Sequence, residues 1–121
     1  MLIKNVLIVE DSPTDSKLLC DMLIKNGFGV VAVGSAEEAL TRVKQTKPDL
    51  VLMDVVLPGQ NGFQATRALS RDEATKDVPV IICSSKSQAT DKVWGIRQGA
   101  KNYLVKPVKQ TELLAMIAKL G

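Results

Sequence analysis

The chain has 121 residues, 45% of them apolar, which suffices for one compact core and is near the commonest size of a single domain. Its 16 basic and 13 acidic residues leave a net charge of +3, but they are scattered, and one Trp, one Tyr and two Phe cannot interleave with basic residues to stack on nucleic acid. No run approaches the ~18 apolar residues of a membrane span, and the absence of His and of CxxC spacing excludes a zinc site or a disulfide framework.

The first apolar run, Val6-Leu7-Ile8-Val9, reads as a strand, and Glu10-Asp11 end it before a signal-peptide core could form. Ser12-Pro13-Thr14-Asp15 then supplies a cap, a first-turn proline and an acid for a helix carrying Leu18, Leu19, Met22 and Leu23, with Gly27 at its C-cap. Val30-Val31-Ala32-Val33 is the second strand. Ser35 and Glu38 form a capping box that opens a helix with Ala39, Leu40 and Val43. The third strand, Leu50-Val51-Leu52-Met53, ends in Asp54, and the fourth, Val80-Ile81-Ile82-Cys83, ends in Ser84-Ser85. Gly99 falls at another helix end. The fifth strand, Tyr103-Leu104-Val105, ends in Lys106-Pro107, and Leu113, Leu114, Ile117 and Leu120 space a last helix. Cys20 and Cys83 lie in apolar surroundings and are expected as reduced thiols of a cytoplasmic protein.

Apolar runs without alternation suit strands buried on both faces. Strands alternating with helices through short connections predict right-handed crossovers and a doubly wound α/β sandwich around a parallel sheet. A helix ending at Leu120 leaves no residues for a second domain, so one domain is expected over residues 1–121, without an effector domain.

In open α/β sheets ligands sit beyond the carboxyl ends of the strands. There the sequence gathers Glu10, Asp11 and Asp54, the hydroxyls of Ser84 and Ser85, and the ammonium of Lys106. Crowded carboxylates repel, and they either raise one another's pKa or recruit a cation. A donor set of hard oxygens without His or thiolate points to Mg²⁺. An aspartate beside such a metal can attack phosphorus while Mg²⁺ and Lys106 neutralise the transferring group, and Asp54 is the central candidate. Ser84 can donate to a phosphoryl oxygen, and backbone N–H groups after Asp54 and after Ser84, at Val56 and Ser85, can complete the cradle. Taken singly each residue reads as structural; their joint placement at four strand ends reverses that.

An acidic pair, a central Asp, a hydroxyl residue and a Lys-Pro in this order resemble the receiver domain of two-component response regulators, over the entire chain. Asp54-Val55-Val56-Leu57-Pro58-Gly59-Gln60-Asn61-Gly62 resembles that family's phosphorylation-site loop, and Lys106-Pro107 its lysine and cis-proline peptide bond. The resemblance implies a flavodoxin-like (βα)5 fold of five parallel strands in the order 2-1-3-4-5. It implies phosphorylation of Asp54 by a chemotaxis-kinase-like sensor histidine kinase, Mg²⁺ on Glu10, Asp11, Asp54 and the Val56 carbonyl, and phosphoryl contacts from Lys106 and Ser84. It also implies a switch in which Ser84 moves toward the phosphoryl group and Tyr103 turns inward, read on the face of the fourth helix, fifth strand and fifth helix. Asn61-Gly62-Phe63-Gln64-Ala65-Thr66-Arg67 and Thr90-Asp91-Lys92-Val93-Trp94-Gly95-Ile96-Arg97-Gln98-Gly99-Ala100 resemble the stand-alone PilH-type regulators of type IV pilus twitching motility. A monomer with a motility or pilus output partner is expected, with neither nucleic acid nor membrane insertion. Gln64 has no derivable part in the chemistry, and Trp94 reads as partner surface or as packing.

This sequence departs from fast-dephosphorylating relatives in Val56 and Lys86, two residues after Asp54 and Ser84, where those relatives carry polar or acidic residues; slow dephosphorylation is expected. Ser84 replaces the commoner Thr. A phosphohydrolase would need a second acid at position 56, and a flavin binder more aromatics; a docking module that is never phosphorylated, or a phosphate sink for a shared kinase, are the remaining alternatives.

Overall fold

A computed structural model describes residues 2–120; Met1 and Gly121, the ends of the expected domain, lie outside the described residues. Ten elements alternate: β1 (Asn5–Val9), α1 (Pro13–Lys25), β2 (Gly29–Val33), α2 (Ala36–Gln45), β3 (Leu50–Met53), α3 (Gly62–Arg71), β4 (Val80–Ser84), α4 (Ala89–Arg97), β5 (Asn102–Val105) and α5 (Gln110–Leu120). The strands form one parallel sheet in the order β2-β1-β3-β4-β5, as expected for the doubly wound fold.

The apolar runs account for the layering. Along a strand successive side chains point to opposite faces, so Val6 and Ile8 enter one core with Leu50, Leu52, Ile81, Leu104 and the α1 and α5 residues Leu19, Leu23, Leu113 and Ile117. Leu7 and Val9 enter the other, with Val51, Met53, Val80 and the α2 and α3 residues Val43, Ala65 and Leu69. β1, β3 and β4 are accordingly buried on both faces. β2 takes the edge position that the expected strand order gives it, but it is not buried on both faces as its unalternating run suggests, and Val31 is 38% exposed.

Helix ends follow the local chemistry. The Ser12 hydroxyl accepts from the Asp15 N–H (3.3 Å) with Pro13 at the first turn. Gly27 and Gly99 close α1 and α4 at φ of +90° and +112°, the left-handed conformation such caps require. The expected capping box at α2 is only half formed: Ser35 accepts from the Glu38 N–H, but the Glu38 carboxylate accepts from Gly34 rather than from Ser35 (2.9 Å). Glu38 thus reaches one residue further back. Cys83 is buried, which pushes its thiol up to about 12, and Cys20 is half-buried; both are free. No helix among the described residues is long and apolar enough to cross a membrane.

The start of β1 is tied to the chain before β3 by Asp49, whose Oδ2 accepts from the N–H groups of Lys4 (3.0 Å) and Asn5 (2.9 Å). These bonds favour the charged form and hold the Asp49 carboxyl below its ordinary 3.8. The stabilisation is therefore present above that value and is lost as pH falls through the lower folded-state value. Asp49→Ala is expected to cost about 1 kcal/mol in urea denaturation at pH 7. The difference from wild type should shrink as the titration is repeated toward pH 3.

Candidate functional site

Backbone register builds the site before any side chain is considered. Val9 pairs with Met53 in the β1–β3 ladder, and the ladder continues one step, the Asp54 N–H donating to the Val9 carbonyl (3.0 Å). On the other side the Glu10 N–H donates to the Val33 carbonyl (3.0 Å). Ser84 pairs with Val105, and the Lys106 N–H donates to the Ser84 carbonyl (2.9 Å). Residues far apart in sequence are thereby fixed at one sheet edge.

Glu10, Asp11 and Asp54 each place a carboxylate oxygen within 4.8 Å of the others. Glu10 and Asp54 are buried, and Asp11 is exposed. The Lys106 ammonium bonds to Glu10, to Asp15 (2.9 Å) and to Asp54 (3.1 Å). Burial raises the Glu10 pKa, against the pull of Lys106 and the Ser12 N–H, which donates to its Oε2 (3.1 Å). For Lys106, burial opposes the charge, but the three carboxylates outweigh it and raise the pKa, so the ammonium stays charged. The second Asp54 oxygen, Oδ1, accepts from the Val55 N–H (2.7 Å). Three carboxylates with no nitrogen or sulfur ligand among them suit a hard divalent cation that keeps some of its water.

The expected switch residues meet at the backbone of one residue, Lys86. The buried Ser84 hydroxyl accepts from the Lys86 N–H (3.3 Å), and the Tyr103 hydroxyl donates to the Lys86 carbonyl (2.8 Å). Tyr103 is only 8% exposed, its ring already packed inward beside Val55 and Ile82. Val56 lies in the loop after Asp54 with its side chain exposed, and Ser85 is exposed after β4. The Lys106–Pro107 peptide is cis, as the sequence led us to expect.

The model of the response regulator receiver domain matches residues 6–118. The chain belongs to this family. It is 52% identical over 112 residues to Protein PilH of Pseudomonas aeruginosa, covering 93% of either chain. Among solved receivers, the one from a sensor histidine kinase of P. aeruginosa PAO1 superposes with a TM-score of 0.89 at 29% identity, covering 97% of this chain and 96% of that one, and it has a magnesium ion coordinated in its active-site cleft. The chemotaxis protein CheY4 of Vibrio cholerae superposes with a TM-score of 0.90 at 25% identity, covering 98% and 99%. Strand order and family therefore agree with the sequence reading.

The receiver's site contains residues that sequence reasoning passed over. Asp15 reads in the sequence as a first-turn acid, yet it reaches Lys106 across the sheet edge. Gln64 has a structural role, because its Oε1 accepts from the Asn61 N–H (3.0 Å) while the Asn61 Oδ1 accepts from the Gln64 N–H (2.9 Å), a reciprocal capping box at the start of α3. The Asn-x-x-Gln spacing was the available signal. Trp94 is half-exposed, with Val93 and Ile96, on the outer side of α4.

Gly62 was also unreadable in advance. The Gly62 N–H donates to the Val55 carbonyl (2.9 Å), and a Cβ at position 62 would stand 1.9 Å from the Asp54 carbonyl oxygen and 2.9 Å from Val55 Cα. Only a residue without a side chain lets α3 start against the backbone that carries Asp54. Gly62→Ala is expected to lower unfolding free energy by about 3 kcal/mol, by forcing backbone rather than a flexible side chain to move. Chemical denaturation monitored by far-ultraviolet circular dichroism measures it.

Proposed function

We propose that this receiver is phosphorylated on Asp54 and signals as a stand-alone response regulator through altered protein binding. The observation that supports this most directly is the Asp54 carboxylate, buried between the Glu10–Asp11 pair and the Lys106 ammonium. In the proposed reaction an Asp54 oxygen attacks the phosphorus of a phosphohistidine on a sensor histidine kinase. The new O–P bond forms as the N–P bond breaks, and the histidine nitrogen leaves. Mg²⁺ held by Glu10, Asp11, Asp54 and the Val56 carbonyl would supply charge neutralisation to the phosphoryl oxygens. Lys106 meets one phosphoryl oxygen, the Ser84 hydroxyl donates to another, and the N–H groups of Val56 and Ser85 complete the cradle. The chain then catalyses only its own phosphorylation and dephosphorylation.

A groove lined by Leu18, Leu19, Met22, Pro107 and Val108 opens directly beside Asp15 and Lys106. It offers the phosphodonor an apolar seat next to the acidic cluster. When Ser84 turns toward the phosphoryl group it releases the Lys86 N–H, and the Lys86 carbonyl carries that change to Tyr103. Output is read on α4, β5 and α5 by a motility or pilus protein. Similarity to Protein PilH supports a place in type IV pilus twitching motility, and the reading is of a cytoplasmic monomer without a nucleic-acid partner.

Intact mass after incubation with phosphoramidate tests the reading. A gain of one phosphoryl group is expected with Mg²⁺, and none in Asp54→Asn or without the metal; no gain under any condition would leave a docking module. The exposed apolar Val56 beside Asp54 cannot orient an attacking water, so dephosphorylation is expected to be slow. Val56→Asn should shorten the phosphoryl half-life several-fold, and an unchanged half-life would remove that explanation.

A further inference from the structure

An ammonium has three donors, and those of Lys106 face three carboxylates. Two of the acceptors, Glu10 and Asp54, belong with Asp11 to the group able to hold a metal. Asp15 does not. It stands in the first turn of α1, where Pro13 and the Ser12 cap fix its backbone, and its side chain is 39% exposed.

A divalent cation that takes Glu10 and Asp54 competes with Lys106 for them, because both cations want the same lone pairs. An ammonium with no other acceptor must either leave the site or stay and repel the ion. Asp15 is an acceptor outside the metal group, 2.9 Å from Nζ. We propose that Asp15 is a positioning residue for Lys106: it keeps the ammonium beside Asp54 while Glu10 and Asp54 turn toward the metal. The inference rests on reading Glu10, Asp11 and Asp54 as the metal site.

Without the Asp15 charge, Lys106 binds Glu10 and Asp54 more tightly and excludes the metal more effectively. A simpler role exists, since an acid in a first turn stabilises its helix. That role would lower Tm and leave metal affinity unchanged.

The test is calorimetric titration of Mg²⁺ into the full chain, for wild type, Asp15→Asn, Lys106→Met and the double variant. Asp15→Asn is expected to raise the Mg²⁺ Kd about three- to fivefold when Lys106 is present. It should raise it markedly less in the Lys106→Met background, where only the through-space loss of one charge remains. Asp15→Glu, which keeps the charge, should restore most of the affinity. Equal weakening in both backgrounds, or a lowered Tm with an unchanged Kd, would overturn the proposal. A wild-type chain that binds no Mg²⁺ would overturn the metal-site reading with it.

Discussion

One charge imbalance organises this molecule. At one sheet edge Glu10, Asp15 and Asp54 bond to the Lys106 ammonium, and Asp11 stands beside Glu10 and Asp54 with no ammonium partner among the described residues. Glu10 and Asp54 are 5% and 7% exposed, and a buried carboxylate whose partner is removed costs on the order of 3–5 kcal/mol. The raised Glu10 pKa records that cost, and the raised Lys106 pKa records the attraction that offsets part of it. One positive charge cannot balance four carboxylates. The edge is therefore held together in a state that still attracts cations, which is the electrostatic condition a phosphoryl-accepting aspartate needs, since the incoming group adds negative charge to the same place.

The core and the site are consequences of the same register. Alternation along β1 and β3 sends Val6, Ile8, Leu50 and Leu52 to one face and Leu7, Val9, Val51 and Met53 to the other. A slip of one residue between them would exchange the faces and also separate Glu10 from Asp54. Hydrophobic burial, at about 1.5–3 kcal/mol for a fully buried Leu or Val, thus fixes the positions of charges that would not choose each other. Lys106 is delivered the same way, one residue beyond the Ser84–Val105 pair.

What the sequence disclosed and what it hid divide along physical lines. β1, β3, β4 and β5 were legible because long-range burial selects continuous apolar runs, and the residues just after them were legible because strand ends have a defined direction. β2 has the same kind of run, and the family resemblance implied its place at the edge; what its composition did not carry is the exposure of that edge, as at Val31, because which strands end a sheet depends on pairing. Gln64 belonged to a spacing signature that was on view. Gly62 and Asp15 were different, because their importance lies in how the chain folds back onto Asp54 and in a contact with Lys106 across the sheet edge. A first-turn acid and a helix-start glycine look the same whether or not anything stands opposite them.

The backbone of Lys86 joins the Ser84 and Tyr103 hydroxyls. Tyr103 is buried except for its hydroxyl bond to the Lys86 carbonyl, and a buried phenol that loses its acceptor is costly. The ring has its place because position 95 carries no side chain: a Cβ there would lie 3.1 Å from the ring and 2.8 Å from Ile82 Cδ1. Packing therefore permits the inward ring and the hydrogen bond holds it. Ser84 grips the N–H of the same residue, in the preceding peptide group, by a longer, weaker bond of 3.3 Å. Of the two grips, the one at Ser84 is the easier to break, so any group that draws the Ser84 hydroxyl away frees Lys86 first. The Tyr103 hydroxyl must then follow its acceptor or lose it, and α4, against which the ring packs, meets the consequence.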